Sequence, residues 1–214
     1  MNFSEFLKSH KSEFAWLLKA PLTIDNGYKV LLRPGISDIS HLWEFIKTET
    51  TRAGKKFALG GYLEDREVYR NASLFSTDDP RTIHLGLDIW SDAGTPIYMP
   101  FNGRIDSFQD NNNIRDYGPT IITEHTLMEH TFYFLFGHLS HASLENLVKG
   151  KFMKKGEKIA DLGTFEENGG WPPHLHFQII KDLEGYLGDY PGVAKKSELD
   201  HYQYNCPDPM IIFK

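Results

Sequence analysis

The chain has 214 residues, a formal net charge of −6 and 40% hydrophobic side chains. This length suits one core domain with elaborations, and the apolar content is ample for a packed core. The acidic balance and the lack of a concentrated Lys/Arg run argue against nucleic-acid binding. No apolar run in the sequence approaches the length of a transmembrane helix.

The first eighty residues predict a helical and extended segment that packs on the core. Apolar side chains recur at near-helical spacing over residues 3–18 and predict an amphipathic helix that ends before Pro21. A second helix is expected from about residue 39 to 48, with Asp38 as its N-cap. Residues 60–70 are polar, and we expect them to be extended with their charges in solvent.

The most informative motif begins at the next segment, as His84-Leu-Gly-Leu-Asp88. The β-branched and aromatic residues around it suit a strand, and Gly86 disfavours a helix. On a strand, alternate side chains share a face, so His84, Gly86 and Asp88 point to the same side. A glycine between the two polar residues leaves room for an ion to approach the backbone.

Two β-rich segments and two loops lie between this motif and the second histidine motif. Residues 120–125 and 131–136 are β-branched and aromatic, and they predict neighbouring strands, the second of which delivers His138. The turn-rich residues 110–118 predict a surface loop. The glycine- and proline-punctuated residues 165–173 predict another.

Loops beside a rigid sheet are where substrate contacts tend to lie. Tyr117 at the end of the first loop and Trp171 in the second are therefore candidate substrate-binding residues. A simple packing role explains either side chain equally well.

The second histidine motif is His174-Leu-His176. Pro172 and Pro173 precede it and would not suit a helix interior. On a strand, His174, His176 and Gln178 share one face, while the residues between them pack on the other. Two strands could therefore present His84, Asp88 and His176 to a single ion.

Two histidines and one carboxylate suit zinc and also the facial triad of non-haem iron oxygenases. The wide His-x-x-x-Asp spacing and two further histidines favour zinc and hydrolysis. Zinc with three protein ligands leaves a position for water, lowers the pKa of that water and polarises an amide carbonyl. His174 is placed to take a proton from the water, and His138 could stabilise the oxyanion or return a proton to the amine, but the sequence does not decide which of the two is the base.

The remaining histidines are expected to lie at the surface or to be satisfied within the core, as a lone histidine usually is. They are His10, His41, His125, His130, His141 and His201.

Several linked motifs between about Arg81 and Ile180 occur in the order seen in the LytM/lysostaphin-type zinc peptidases, family M23. They are His84-x-Gly-x-Asp88, Gly94-Thr-Pro-Ile97, Gly103-Arg-Ile105, Tyr117-Gly118, Gly137-His-Leu-Ser140, Lys155-Gly156, Leu162-Gly163 and Pro173-His-Leu-His-Phe177. The chain thus resembles this family over nearly half of its length.

The resemblance implies a mainly β fold, with an antiparallel LytM/lysostaphin-like core (a duplicated hybrid motif) and an N-terminal helical extension. It implies one zinc ion held by His84, Asp88 and His176, with His138 and His174 as the catalytic histidines. It divides the chain into an N-terminal segment (1–80), an M23-like catalytic domain (81–182) and a C-terminal extension (183–214).

The activity implied by the resemblance is a zinc-dependent metalloendopeptidase acting on peptidoglycan cross-links or glycine-rich peptides. The run Glu166–Pro173 departs from the Gly/Ser/Thr-rich run common in cell-wall enzymes. With Arg81–His84 and Cys206–Pro209, it is similar to the M23-like module fused to kinase-like and class III aminotransferase domains. This departure leaves two alternatives open: a metal-containing binding or regulatory module, and an enzyme of another class such as a small-amide hydrolase.

The compartment is predicted from the N-terminus and the cysteine content. Charges are scattered through the first twenty residues, which is not typical of a signal peptide. The single cysteine, Cys206, excludes an intrachain disulfide and fits a reducing compartment. We therefore expect a cytoplasmic protein. The sequence is silent on its oligomeric state.

Overall fold

The computed structural model describes residues 1–23, 25–30, 39–66 and 80–213. Within these residues the chain forms three α-helices and twelve strands, joined by loops and short 3₁₀ turns. In chain order they are α1 (Phe3–Ser9), β1 (Gly27–Val30), α2 (Ile39–Arg52), β2 (Phe57–Gly60), β3 (Ile83–His84), β4 (Leu87–Trp90), β5 (Pro96–Tyr98), β6 (Gly103–Asn111), β7 (Gly118–Leu127), β8 (His130–Gly137), β9 (Phe152–Met153), β10 (Lys158–Asp161), β11 (His174–Ile180), β12 (Val193–Ala194) and α3 (Leu199–Asn205).

Eight of the strands form one sheet in the order β1-β2-β4-β11-β8-β7-β6-β9. Its pairs are antiparallel except β1 with β2, which run parallel. Two small antiparallel pairs, β5 with β10 and β3 with β12, complete the architecture. The expected mainly β fold is confirmed, and the parallel pair makes the large sheet mixed.

Strand β11 lies at the centre of the large sheet, between β4 and β8, and its two faces have different roles. Leu175, Phe177 and Ile179 point into the main hydrophobic core. The intervening positions, His174 and His176 among them, are also buried but face the other side of the sheet. The predicted alternation along this strand is confirmed.

Helix α1 packs on the main core, but it is shorter than the sequence predicts. It starts with a capping box, in which Asn2 and Glu5 exchange side chain–backbone hydrogen bonds. It ends at Ser9 because the Ser9 hydroxyl and His10 Nδ1 both hydrogen bond to the carbonyl of Phe6, at 2.8 and 2.9 Å. After a 3₁₀ turn (Lys11–Glu13), the apolar side chains that follow reach the core from irregular chain; Leu17 is fully buried.

Helix α2 covers the predicted residues 39–48 and continues to Arg52, so its existence is confirmed. The expected N-cap, Asp38, lies outside the described residues. No helix among those described is both long and apolar enough to span a membrane.

The first histidine motif is not one strand, as the sequence suggested, but two. His84 ends β3 and Asp88 lies in β4, and the chain bends between them. Leu85 N–H donates to the carbonyl of Gly192 at 2.9 Å, which pulls this residue out of the large sheet. A Cβ at Gly86 would lie 2.6 Å from the His176 ring, so the space beside this glycine holds an imidazole rather than an ion.

The expectation that the charges of residues 60–70 lie in solvent is wrong for Arg66. This side chain is only 1% exposed and packs beneath the large sheet's β2–β4 pair, where Trp90 lies 5.9 Å from its guanidinium carbon. Burial of an arginine requires partners for its charge, and these partners belong to the site described below.

His125 is a satisfied core histidine, as expected. Its Nδ1 faces the Asn102 carbonyl at 2.9 Å, so this nitrogen carries the proton, and Nε2 accepts from the Thr123 hydroxyl at 2.7 Å. Burial lowers the pKa of His125 to about 3.

We predict that His125 makes the fold acid-sensitive. The unfolded chain takes up a proton on this residue below about pH 6.5 and the folded chain does not, so stability is present at neutral pH and is lost as the pH falls. This residue should contribute about 2 kcal/mol of the stability lost between pH 7 and pH 5. The variant His125→Asn keeps a hydrogen-bond donor near Asn102. Its free energy of unfolding should fall by about that much less between pH 7 and pH 5 than that of the parent chain.

The measurement is urea unfolding at the two pH values. His201→Asn is the matched control, because that side chain is 53% exposed. If His125→Asn shows the full pH dependence of the parent chain, the role given to His125 is wrong.

Candidate metal centre

Three buried side chains from three strands converge on one point. His84 Nε2 lies 3.0 Å from His176 Nδ1 and 3.1 Å from Asp88 Oδ1, and the last two atoms are 3.2 Å apart. Tetrahedral zinc bonds of about 2.0–2.2 Å separate ligand atoms by roughly 3.3–3.6 Å. The three atoms would therefore have to part by only a few tenths of an ångström, so this group fits a metal ion.

The protons of the two imidazoles point away from this group. His84 Nδ1 faces the Gly61 carbonyl at 2.9 Å, so Nδ1 carries the proton and Nε2 keeps its lone pair. His176 Nε2 faces the Gln178 Oε1 atom at 2.9 Å, so Nε2 carries the proton and Nδ1 keeps its lone pair. Three hydrogen-bond acceptors then face one another, which is the arrangement expected around a cation.

The electrostatics of the group keep its atoms free to bind an ion. Burial and, after it, the Arg66 charge together lower the pKa of His84 to about 4, against the opposing effect of Asp88. Burial alone would raise the pKa of the Asp88 carboxyl, but neighbouring His84 and Arg66 outweigh it and hold that pKa well below its usual value. The site therefore presents neutral imidazole and ionised carboxylate at neutral pH.

His138 and His174 lie together beside this group, with ring centroids 4.1 Å apart. His174 Nδ1 faces the Pro172 carbonyl at 2.7 Å, and His138 Nδ1 faces the Asn168 carbonyl at 3.1 Å. Both rings therefore keep the lone pair on Nε2. His174 Nε2 is 3.9 Å from Asp88 Oδ1.

The environment of these two histidines keeps them neutral. Burial lowers the pKa of His138 well below its usual value, and the neighbouring His174 adds to this effect. Burial also lowers the pKa of His174, against the opposing charge of Asp88. An unprotonated imidazole is what a general base requires.

The backbone of His138 is unusual, with φ at +63°. This left-handed conformation is costly for a residue with a side chain, and such residues cluster at functional sites. Hydrogen bonds hold it in place: His138 N–H donates to the Tyr117 carbonyl at 2.9 Å, and Gly163 N–H donates to the His138 carbonyl at 3.0 Å.

A cavity of about 260 Å³ opens onto the histidines. Tyr117 and Trp171 both line it, together with His138, His174 and His176. The Tyr117 hydroxyl donates to the Tyr190 carbonyl at 3.2 Å, and the Trp171 ring lies 5.2 Å from the guanidinium carbon of Arg115. Both side chains are more than nine-tenths buried, so each combines a packing role with a place in the cavity wall.

Two residues that touch the metal-binding group were given no role from sequence. Gln178 shares the face of His176, and this alternation was the signal that could have found it. Its amide nitrogen donates to the Pro191 carbonyl at 3.1 Å and contacts Cys206 Sγ at 3.2 Å, which fixes the oxygen toward His176. Arg66 carried no such signal.

Residues 82–187 match the family model described as Peptidase family M23. This part of the chain belongs to family M23. The resemblance drawn from the motifs is therefore confirmed. A comparison with curated proteins finds no match.

Several solved structures resemble the chain at low overall similarity. A zinc-containing peptidase from Vibrio cholerae is 26% identical with a TM-score of 0.36, over 46% of this chain and 27% of that one. Csd3 from Helicobacter pylori is 27% identical with a TM-score of 0.34, over 53% and 29%. The catalytic domain of lysostaphin from Staphylococcus simulans is 20% identical with a TM-score of 0.39, over 60% and 86%. The chain thus spans less than a third of the first two proteins.

We predict that Gln178→Leu weakens metal binding by about 10- to 100-fold, the usual cost of removing a partner that orients a ligand. Leucine fills the same space but removes the acceptor at 2.9 Å and leaves the His176 Nε2 proton with the Tyr117 hydroxyl at 3.5 Å, so the ring holds Nδ1 less firmly toward the other two ligands. Competition with a chelating dye measures the zinc affinity.

The control for this change is Gln203→Leu, since Gln203 is exposed on α3. An unchanged zinc affinity in Gln178→Leu would show that this amide does not orient His176.

Proposed function

We propose that the chain is a zinc-dependent metalloendopeptidase that hydrolyses peptide or amide bonds. The observation that carries the proposal is the convergence of His84 Nε2, Asp88 Oδ1 and His176 Nδ1, within 3.2 Å of one another, beside two further neutral histidines. Membership of residues 82–187 in a peptidase family supports the same reaction.

One zinc ion would be held by His84, Asp88 and His176. When bound, it supplies a Lewis acid that polarises the scissile carbonyl and lowers the pKa of the attacking water. The set of two imidazoles and one carboxylate suits this ion, since the other nitrogen of each ring faces a hydrogen-bond acceptor on its far side.

His174 and His138 would carry out the proton transfers. Each keeps a lone pair on Nε2 because its Nδ1 proton is held by a backbone carbonyl, at Pro172 and Asn168. We assign to His174 the removal of a proton from the attacking water, since its Nε2 lies 3.9 Å from the ligand atom Asp88 Oδ1. His138 would stabilise the oxyanion or return the proton to the leaving amine as the C–N bond breaks.

The substrate would lie in the cavity lined by Tyr117 and Trp171. The family implies peptidoglycan cross-links or glycine-rich peptides, and we propose these as the first substrates to test. The three-segment division of the chain and its cytoplasmic location remain predictions.

We predict that His174→Ala abolishes hydrolysis while zinc stays bound. General acid–base catalysis contributes about 10²- to 10⁴-fold to a rate, so kcat should fall by at least that lower factor. His138→Ala should act similarly. Zinc content per chain, measured on the same samples, should equal that of the parent protein.

His141→Ala is the matched control, because this histidine is half-exposed and pairs with Asp110 and Glu167. Full activity in His174→Ala would remove the proposed role of that residue. Purified peptidoglycan, pentaglycine and ordinary peptides form the substrate panel.

We further predict that the protein, purified without added metal, contains zinc. Chelation should abolish hydrolysis, and zinc should restore it. Iron in the purified protein together with oxygen-dependent turnover would contradict the proposal.

A further inference from the structure

Arg66 brings a buried guanidinium to the metal-binding group from outside the segment that matches the family. Its Nη1 donates to Asp88 Oδ2 at 2.5 Å. Its Nε and Nη2 donate to Glu64 Oε2 at 3.3 and 3.2 Å. The side chain is 1% exposed, so these contacts are shielded from water.

The two oxygens of Asp88 therefore face different partners. Oδ1 lies 3.1 Å from His84 Nε2 and 3.2 Å from His176 Nδ1. Oδ2 is occupied by the guanidinium of Arg66. A carboxylate with both oxygens free can bind a metal through one or both, whereas a charged hydrogen bond at one oxygen turns the carboxylate so that metal binding through the other oxygen is favoured.

Packing holds the guanidinium in this place. Its carbon lies 5.9 Å from the centroid of the Trp90 ring. Gly60 lies opposite Asp88 on the neighbouring strand β2, and a Cβ there would come within 2.8 Å of Arg66 Nη2 and 2.3 Å of Trp90. The absence of a side chain at this position is what makes space for the arginine.

We propose that Arg66 is a positioning residue of the metal centre: anchored by Glu64, it holds Asp88 Oδ2 so that only Oδ1 is offered to the ion. The inference rests on the proposed zinc site. It adds that residues N-terminal to the family match complete that site.

The fork of the guanidinium matters as well as its charge. Arg66 reaches Asp88 with one terminal nitrogen while the other two nitrogens hold Glu64. A lysine ammonium at the end of a flexible stem has no such rigid set of donors. Lysine at this position should therefore fail to fix the carboxylate.

The test compares Arg66→Met and Arg66→Lys, with Arg104→Met as the control. Arg104 is an exposed arginine that contacts the Gly150 carbonyl and the Phe152 ring. The readouts are zinc affinity by chelator competition and the visible absorption spectrum of the cobalt(II)-substituted protein, which reports coordination number.

For Arg66→Met we expect zinc affinity to fall by about 10- to 100-fold. We also expect the cobalt bands to weaken, because Oδ2 becomes free to bind and the coordination number rises. In zinc affinity and cobalt spectrum, Arg66→Lys should resemble Arg66→Met, and Arg104→Met should match the parent protein.

Parent-like affinity and an unchanged cobalt spectrum in Arg66→Met would overturn the proposal. Parent-like zinc affinity and a parent-like cobalt spectrum in Arg66→Lys would overturn the role given to the rigid set of guanidinium donors. If Arg66→Met does not fold, Glu64→Gln gives the test. This variant keeps the positive charge of Arg66 but weakens the contact with residue 64 that anchors the guanidinium. A smaller change in the same direction is expected there, and no change would overturn the inference.

These readouts do not depend on peptide cleavage. A parent protein that binds no zinc would contradict the proposed function. A parent protein that binds zinc but cleaves no peptide would leave the effect of Arg66 on affinity and coordination fully measurable.

Discussion

The fold is organised around three electron-pair donors held at mutual contact in its interior. Without a cation, His84 Nε2, His176 Nδ1 and Asp88 Oδ1 would repel one another. The chain holds them together by giving each residue a hydrogen-bond partner on its far side: the Gly61 carbonyl for His84, Gln178 for His176 and Arg66 for Asp88. The surrounding strands and loops bring these partners close to the ligands.

Strand β11 makes this arrangement possible because one of its faces belongs to the hydrophobic core and the other to the metal-binding group. One face carries Leu175, Phe177 and Ile179 into the main core, and the other carries the polar residues. A ligand on a central strand cannot shift without disturbing the packing behind it. Rigidity at His176 is thus a property of the apolar face as much as of the polar one.

Local pattern predicted much of this arrangement and long-range contacts decided the rest. Strand alternation placed His174, His176 and Gln178 on one face, since the period of a strand depends only on the backbone. The bend after His84 was missed, because it depends on a hydrogen bond to Gly192, more than a hundred residues away in sequence. The burial of Arg66 was missed for a similar reason, because its contact with Asp88 joins residues that lie 22 positions apart in the sequence. The sequence predicts a longer α1 than the structure shows, because the helical spacing of apolar residues continues beyond Ser9, where the helix ends.

The contacts that support the metal-binding group also show how much of the chain this group needs. Gly61 and Arg66 precede residues 82–187, and Pro191 and Cys206, which fix Gln178, follow them. A segment cut to the family boundaries would keep all three ligands, but it would lose the partners of His84 and Asp88 and the contacts that fix Gln178, the partner of His176. Anyone transplanting this centre into another scaffold, or shortening the chain for expression, would therefore have to carry both flanks with it.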